Sequence, residues 1–503
     1  VLPQGASDDP RSAQTIQAIQ RAFSKGVVPA DLPLAKATTQ GISTATGLVG
    51  INLEAPAKNL FPVLSPLRNR FPRKGAATGS TAVQWRAITG INTTAIKAGV
   101  AEGNRNSVVS TAEVDHSQAY KTFGLDDFVT FDAVDAAAGF MDIRAEATAN
   151  LLAATMVEEE KIILGGNVQA IGKPAAMTTP YGAADSSAAG PFTASTAYDF
   201  AVSALTSYGY LNAATGRTGG VDASDETDGR TLTTFTTGSG KTSVVLSWGA
   251  VRGAVAYNVF IGTHSGTLYY AFTTAQTSII IDSTVLAALP GSGHTPNLAD
   301  QTADALSYDG LIPQIEASAI SQYTGNGAYF HDMQGAQLSS DNANGVPEID
   351  AMLRYLWDHW RIGPTALIVN AQEAQNIATA IVQGGNAAGT TRWVQQVNAD
   401  GTVTGGLVAD SYRNKFTAPR IIPIEIHPYL APGTIIAISE RLPFPRTNVP
   451  NPFEIDMRRE YTQYDWAQVA RKFEFGVYAA GCLKAYFPAG CGTIVGIRDG
   501  VAS

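Results

Sequence analysis

Residues 238–242, Gly-Ser-Gly-Lys-Thr, carry the residue types of a phosphate-binding loop: small residues that admit backbone amides, then a lysine and a hydroxyl. The full pattern needs another glycine five places before Gly240, and that position is Phe235. It also needs a helix after the lysine, whereas Thr242 to Trp248 alternate as a strand, leaving no helix N-terminus to hold a phosphate. Other candidates fail in the same way. Gly262–Gly266 (GTHSG) has its serine one place too late for a nucleophile elbow. The acidic run 222–229 (DASDETDG) lacks the alternating oxygen ligands and distant glutamate of a calcium loop. His116, His264, His294, His331, His359 and His427 form no metal-ligand pair. Glu158-Glu159-Glu160 reads as a solvated helix face, and Trp357 and Trp360 as aromatics of a helix core. The expectation is therefore no enzyme, with no catalytic residue, metal or cofactor.

Cys482 and Cys491 are too few for a disulfide framework. They flank a turn at Pro488-Ala489-Gly490, so a hairpin is expected there, with the two thiols facing different partners and remaining reduced and buried.

The elements that would position side chains are more informative than the side chains. A chain of 503 residues predicts several domains. Charged residues are only 15 % of it, against about 25 % in typical soluble domains, which fits an exterior partly covered by other chains or a large single-chain core with polar, uncharged loops. The net charge of −9 argues against a nucleic-acid reader. No apolar run is long enough to span a membrane, and the first residues, starting at Val1, show no secretory pattern. Trimming of an initiator methionine is the expected reason for Val1.

Residues 1–60 read as an arm. The following LFPVLSPLRNRFPRKG has three prolines among Arg68, Arg70 and Arg73, and reads as an ordered, non-helical connector. Residues 80–123 alternate as a long two-stranded hairpin with too few apolar residues for a core of its own. From Asp132 to Ile163 apolar residues recur at helical spacing (Phe140, Ile143, Ala147, Leu151, Ala154), predicting one helix of roughly 30 residues stopped by Gly165-Gly166-Asn167. Residues 173–305 are poor in charge and rich in short strands. Further on, helices are expected over PEIDAMLRYLWDHWR and NAQEAQNIATAIVQGG, the latter capped by Asn370, with a buried strand TALIVN between them. A hairpin around Asp400-Gly401 and further strands complete the chain.

Within 173–305, Trp248 and Tyr257 on successive strands resemble the core aromatic pair of a fibronectin type III or immunoglobulin-like sandwich. The segment from Tyr198 resembles that family's last hairpin, which here precedes the others and implies a circular permutation. The whole order of elements, with EKIILGGN and DGLIPQI as its most telling pieces, resembles the major capsid proteins of tailed bacteriophages. That resemblance implies an α+β, Hong Kong 97-type capsid fold with an inserted all-β sandwich. Its parts would be an N-terminal arm (1–60), extended loop, spine helix and part of the peripheral domain (61–172), the insert (173–305), peripheral domain (306–345), axial domain (346–440) and C-terminal peripheral strands (441–503). It implies self-assembly into pentamers and hexamers of an icosahedral head, in the virion, after assembly in the host cytoplasm. Portal, scaffolding and decoration proteins would be partners, and packaged double-stranded DNA would be touched only loosely. Arg68, Arg70, Arg73, Trp85, Arg86 and Lys97 become candidate inter-subunit contacts. Some relatives carry an N-terminal scaffolding segment, which here would be cleaved or separate. Others cross-link a loop lysine to an asparagine, for which Lys97 and Asn448 or Asn451 are the places to look. The alternative is a cell-surface or tail-fibre adhesin built around the sandwich.

Overall fold

The computed structural model describes residues 64–75, 79–138, 141–175, 181–214, 231–296, 299–316, 327–341, 345–383, 396–397, 403–404 and 409–500. The arm and the acidic run 222–229 lie outside them. Every element below belongs to one compact unit.

The first elements are helix α1 (Pro66–Arg70) and strand β1 (Arg73–Gly75). The connector is thus helical for one turn, because Pro66 falls at the first helical position, where its missing N–H costs nothing. Strands β2 (Ala82–Ile91) and β3 (Thr111–Ala119) pair antiparallel and, among the described residues, only with each other. After Tyr120 the chain enters β4 (Lys121–Thr130), which leaves the hairpin for a different sheet.

The expected 30-residue helix is two helices, α2 (Phe131–Ala137) and α3 (Ile143–Gly165). The Thr130 hydroxyl caps the first, and the Asp142 carboxylate caps the second by accepting from the Ala145 amide at 3.1 Å. Two capping residues twelve places apart, with Gly139 between them, override the apolar periodicity. On α3, Leu151 is buried but Ala154 is exposed, and the helix is about 34 Å long.

Seven strands follow in two facing sheets. They are β5 (Gly182–Ser186), β6 (Ala197–Leu205), β7 (Thr231–Thr236), β8 (Ser243–Ser247), β9 (Ala256–Thr263), β10 (Tyr269–Thr274) and β11 (Ser278–Ile281), with helix α4 (Ser207–Ala214) after β6. The sheets are ordered β10-β9-β6-β7 and β11-β8-β5. Phe200, Val202, Leu246 and Val259 fill the space between them. Strand β8 starts two residues after Lys241, and the Gly238 amide is spent on the Asp185 carboxylate at 2.9 Å, so a protein anion already occupies the phosphate-like loop.

Helix α5 (Leu311–Glu316) and β12 (Tyr329–Asp332) lead into α6 (Pro347–Trp360), β13 (Ala366–Val369) and α7 (Ala371–Gln383). The remaining strands are β14 (Gln396–Val397), β15 (Val403–Thr404), β16 (Ser411–Arg413), β17 (Ile421–Ile426), β18 (Ile435–Ile438), β19 (Phe453–Asp465), β20 (Lys472–Ala485) and β21 (Gly492–Val495). One sheet runs β1-β19-β20-β4 and lies on α3; another runs β12-β21-β18-β13-β17-β16 and is covered by α6 and α7. Strands β14 and β15 pair as a short hairpin.

The C-terminal hairpin expectation fails. Strands β20 and β21 belong to different sheets, joined by a 3₁₀ turn at Pro488–Gly490 that carries the chain across. Cys482 and Cys491 are both free and buried, and burial pushes each thiol up to about 12. Because β12 and β21 join the six-stranded sheet, that sheet extends beyond residues 346–440 at both ends.

The two sequence pieces that carried the resemblance meet in space. The Gly310 amide donates to the Gly166 carbonyl at 2.7 Å, and the Val168 amide to Asp309 at 2.9 Å. A Cβ on Gly310 would lie 2.5 Å from the Ile162 carbonyl oxygen, so only glycine lets α5 start against the end of α3.

Candidate functional site

Two places combine the residues singled out from the sequence. The first is a buried carboxylate pair on α3. Glu159 and Glu160, expected in solvent, are both fully buried. Glu160 accepts the Leu67 and Arg68 amides at 2.8 and 2.7 Å and faces His427 Nε2 at 2.7 Å. His427 Nδ1 lies 3.2 Å from the Tyr429 amide and accepts from it, which leaves the proton on Nε2 to donate to Glu160. Glu159 accepts from Arg68 Nε and Arg73 NH2, both at 2.6 Å, and from the Tyr461 hydroxyl. The Tyr461 ring lies under both guanidiniums, 5.2 and 5.7 Å from their carbons. Burial alone would lower the Arg68 pKa, but Tyr461 and Glu159 outweigh it and raise it. Burial pushes the Tyr461 phenol up, and the Glu159 charge adds to this.

Arg70 turns the other way, to Glu425 and Glu440, and these pairs raise its pKa despite burial. It lines a cleft of about 400 Å³ with Phe71, Pro72, Asn451 and Phe453. All three arginines of the connector therefore bind within their own chain, pinning residues 66–73 to α3, β17 and β19. The run of glutamates missed by sequence reasoning has its partners about 90 and 270 residues away, beyond any local pattern.

The second place is the β2–β3 hairpin. Trp85 and His116 face each other across it, stacked at 5.3 Å, and the indole meets Tyr486 edge-on at 5.8 Å with Lys484 Nζ 5.3 Å from its ring. Burial lowers the His116 pKa. These contacts fix the base of the hairpin to β20. Arg86 is exposed and pairs with Asp115 directly opposite, at 2.6 Å, and with Glu113 at 3.5 Å. Lys97 is exposed in the connecting loop. Toward that loop the hairpin leaves Ile88, Ile91 and Val108 in solvent, at 65 %, 73 % and 91 % exposure.

In the two-sheet sandwich, Trp248 and Tyr257 are buried and meet edge-on at 5.5 Å, and the Tyr257 hydroxyl accepts the Val251 amide at 2.9 Å. The sandwich is seated on the body by Glu316, whose carboxylate accepts the Gly253 amide at 2.7 Å, and by Thr277, which donates to Asp332 at 2.8 Å. Among the described residues no His, Cys, Asp and Glu group could hold a metal ion, and no helix is long and apolar enough to cross a membrane.

No family model matches the sequence, and no curated protein matches it. Solved structures do. The capsid of a native GTA particle aligns at 7 % identity over 93 % of this chain and 100 % of its own, with a TM-score of 0.44. The capsid of Myoviridae phage XM1 aligns at 8 % identity over 91 % and 100 %, with a TM-score of 0.40. The SrpI encapsulin of Synechococcus elongatus aligns at 7 % identity over 90 % and 95 %, with a TM-score of 0.39.

Proposed function

We propose that this chain is the major capsid protein of a tailed bacteriophage, assembling as pentamers and hexamers into an icosahedral head around double-stranded DNA. The observation that carries the reading is the β2–β3 hairpin. Among the described residues it pairs with no other strand, and it exposes large β-branched residues over its outer half. An isolated two-stranded hairpin is marginal in water, so this one is built to be covered by another chain. The low charge content supports the same conclusion, and the arginine–carboxylate clamp gives the subunit a rigid root from which an arm could cross to a neighbour.

The insert begins and ends at the junction of α3 and α5: Asn167 bonds the Thr302 carbonyl at 3.2 Å, and the Ile171 amide bonds the Thr302 hydroxyl at 3.1 Å. Its strand order is that of an immunoglobulin-like sandwich whose last hairpin, β6–β7, has moved ahead of its second strand, β8. We assign it to the outer face of the head, as a stabilising or surface-binding module. Portal, scaffolding and decoration proteins are the further partners of this reading. Deleting residues 92–110 tests it: the subunit should stay folded by circular dichroism and stop forming closed particles. Particles that close normally without the loop would overturn the reading.

A further inference from the structure

The seat between the two-sheet sandwich and the body has a carboxyl at its centre. Glu316 is the last residue of α5 and is only 1 % exposed. Its Oε2 accepts the Gly253 amide of the sandwich at 2.7 Å. Arg252, next to Gly253, donates to the Glu316 main-chain carbonyl at 3.0 Å, and its guanidinium carbon lies 5.0 Å from the Phe330 ring of β12. Glu316 Oε1 is buried and has no hydrogen-bond partner among the described residues, and the same is true of the neighbouring Thr493 hydroxyl on β21. Buried polar atoms are normally bonded. A proton on Oε1 would complete the site, because a neutral carboxyl can donate to Thr493 Oγ1 and still accept from Gly253.

The surroundings favour that proton. From the sandwich, Glu316 is faced by Arg252, turned to the main chain and Phe330, and by Tyr257, whose hydroxyl is engaged with Val251. Strand β12 adds a second carboxylate, Asp332, which accepts from Thr277. Strand β21 and the turn Pro488–Gly490 bring no ionisable side chain. On α3, Glu159 and Glu160 are paired with Arg68, Arg73 and His427. On β20, Cys482 is a buried thiol and Lys484 lies over the Trp85 and Tyr486 rings. Burial outweighs the opposing pulls of Gly253, Thr493 and Arg252 and raises the Glu316 pKa from 4.5 to about 7.

We propose that protonated Glu316 latches the sandwich onto the body, and that its ionisation loosens the seat at residues 251–253. The Thr277–Asp332 bond and the chain connections then remain as the tether. An unlatched, solvated carboxyl ionises near 4.5 and the latched one near 7, so the latch is complete below about pH 4.5 and is lost as pH rises through 7. Across that window the ratio of latched to open seat falls about tenfold per pH unit, roughly 300-fold in all. The device acts within one chain, whatever that chain assembles into.

Hydrogen–deuterium exchange of the full-length protein from pH 5 to 8.5, corrected for the exchange of a free chain at each pH, tests the latch at the Gly253 amide. A seat that opens by itself should leave Gly253 less protected than the core amides of β13 and β18. Its protection should fall about tenfold per unit up to pH 7 and then level off. Glu316→Gln keeps an acceptor for Gly253 and adds a donor for Thr493, so it should hold that protection constant. Glu373→Gln, at the other buried carboxyl, should leave the Gly253 profile as in wild type. Protection at Gly253 that is independent of pH, or equal to that of β13 at every pH, would overturn the proposal. So would a fall that persists in Glu316→Gln or disappears in Glu373→Gln. Should Glu316→Gln not fold, the wild-type and Glu373→Gln profiles decide.

Discussion

Glu159 shows how much one residue can be asked to hold. A carboxylate taken fully out of water costs several kcal/mol unless its oxygens are paired, and here one oxygen collects two guanidiniums and a phenol. Breaking a buried pair by removing one partner typically costs about 3–5 kcal/mol. Arg68→Ala is therefore expected to lower the unfolding free energy by about 3 kcal/mol in denaturant titration, while Lys97→Ala, at an exposed site, should leave it unchanged within about 0.5 kcal/mol. Two other buried carboxyls behave differently. Desolvation pushes Glu316 and Glu373 each up to about 7. The folded state then binds more protons than the unfolded one between about pH 4.5 and 7, so these groups make the protein less stable as pH rises through that window. The neutral isostere Glu316→Gln should flatten that fall and stabilise the protein at pH 8, by an amount on the order of 2–3 kcal/mol. A stability–pH curve with the same slope in wild type and variant would contradict the assignment.

At the scale of elements, legibility followed locality. The hairpin could be read because strict alternation is local, and so could the strands of the insert and the helices at Pro347 and Asn370. The break between α2 and α3 was readable in principle from Asp142, but a regular apolar period masked it. The crossing from β20 to β21 was not readable. Its residues look like a hairpin until the 3₁₀ turn and the partners β18 and β12 are known. The burial of Glu159 and Glu160 was hidden for the same reason, since Arg68, Tyr461 and His427 are remote in sequence. Two packing predictions belong here. Trp248→Ala removes the largest fully buried side chain of the sandwich and should cost about 3–5 kcal/mol, read as a lower melting temperature. Gly310→Ala puts a methyl 2.5 Å from the Ile162 carbonyl and should destabilise the junction of α3 and α5 by about 1–3 kcal/mol, checked by denaturant titration.

For the whole molecule, the features that make little sense in an isolated subunit are a hairpin and a β4 edge with no further strand beside them among the described residues, and the low charge. All three become ordinary once neighbours cover them. Negative-stain electron microscopy of the purified full-length protein, with light scattering on the same sample, tests this most directly. Closed shells, or five- and six-fold rings, are the predicted result. A dispersed monomer at every concentration, with and without the other assembly proteins, would contradict it.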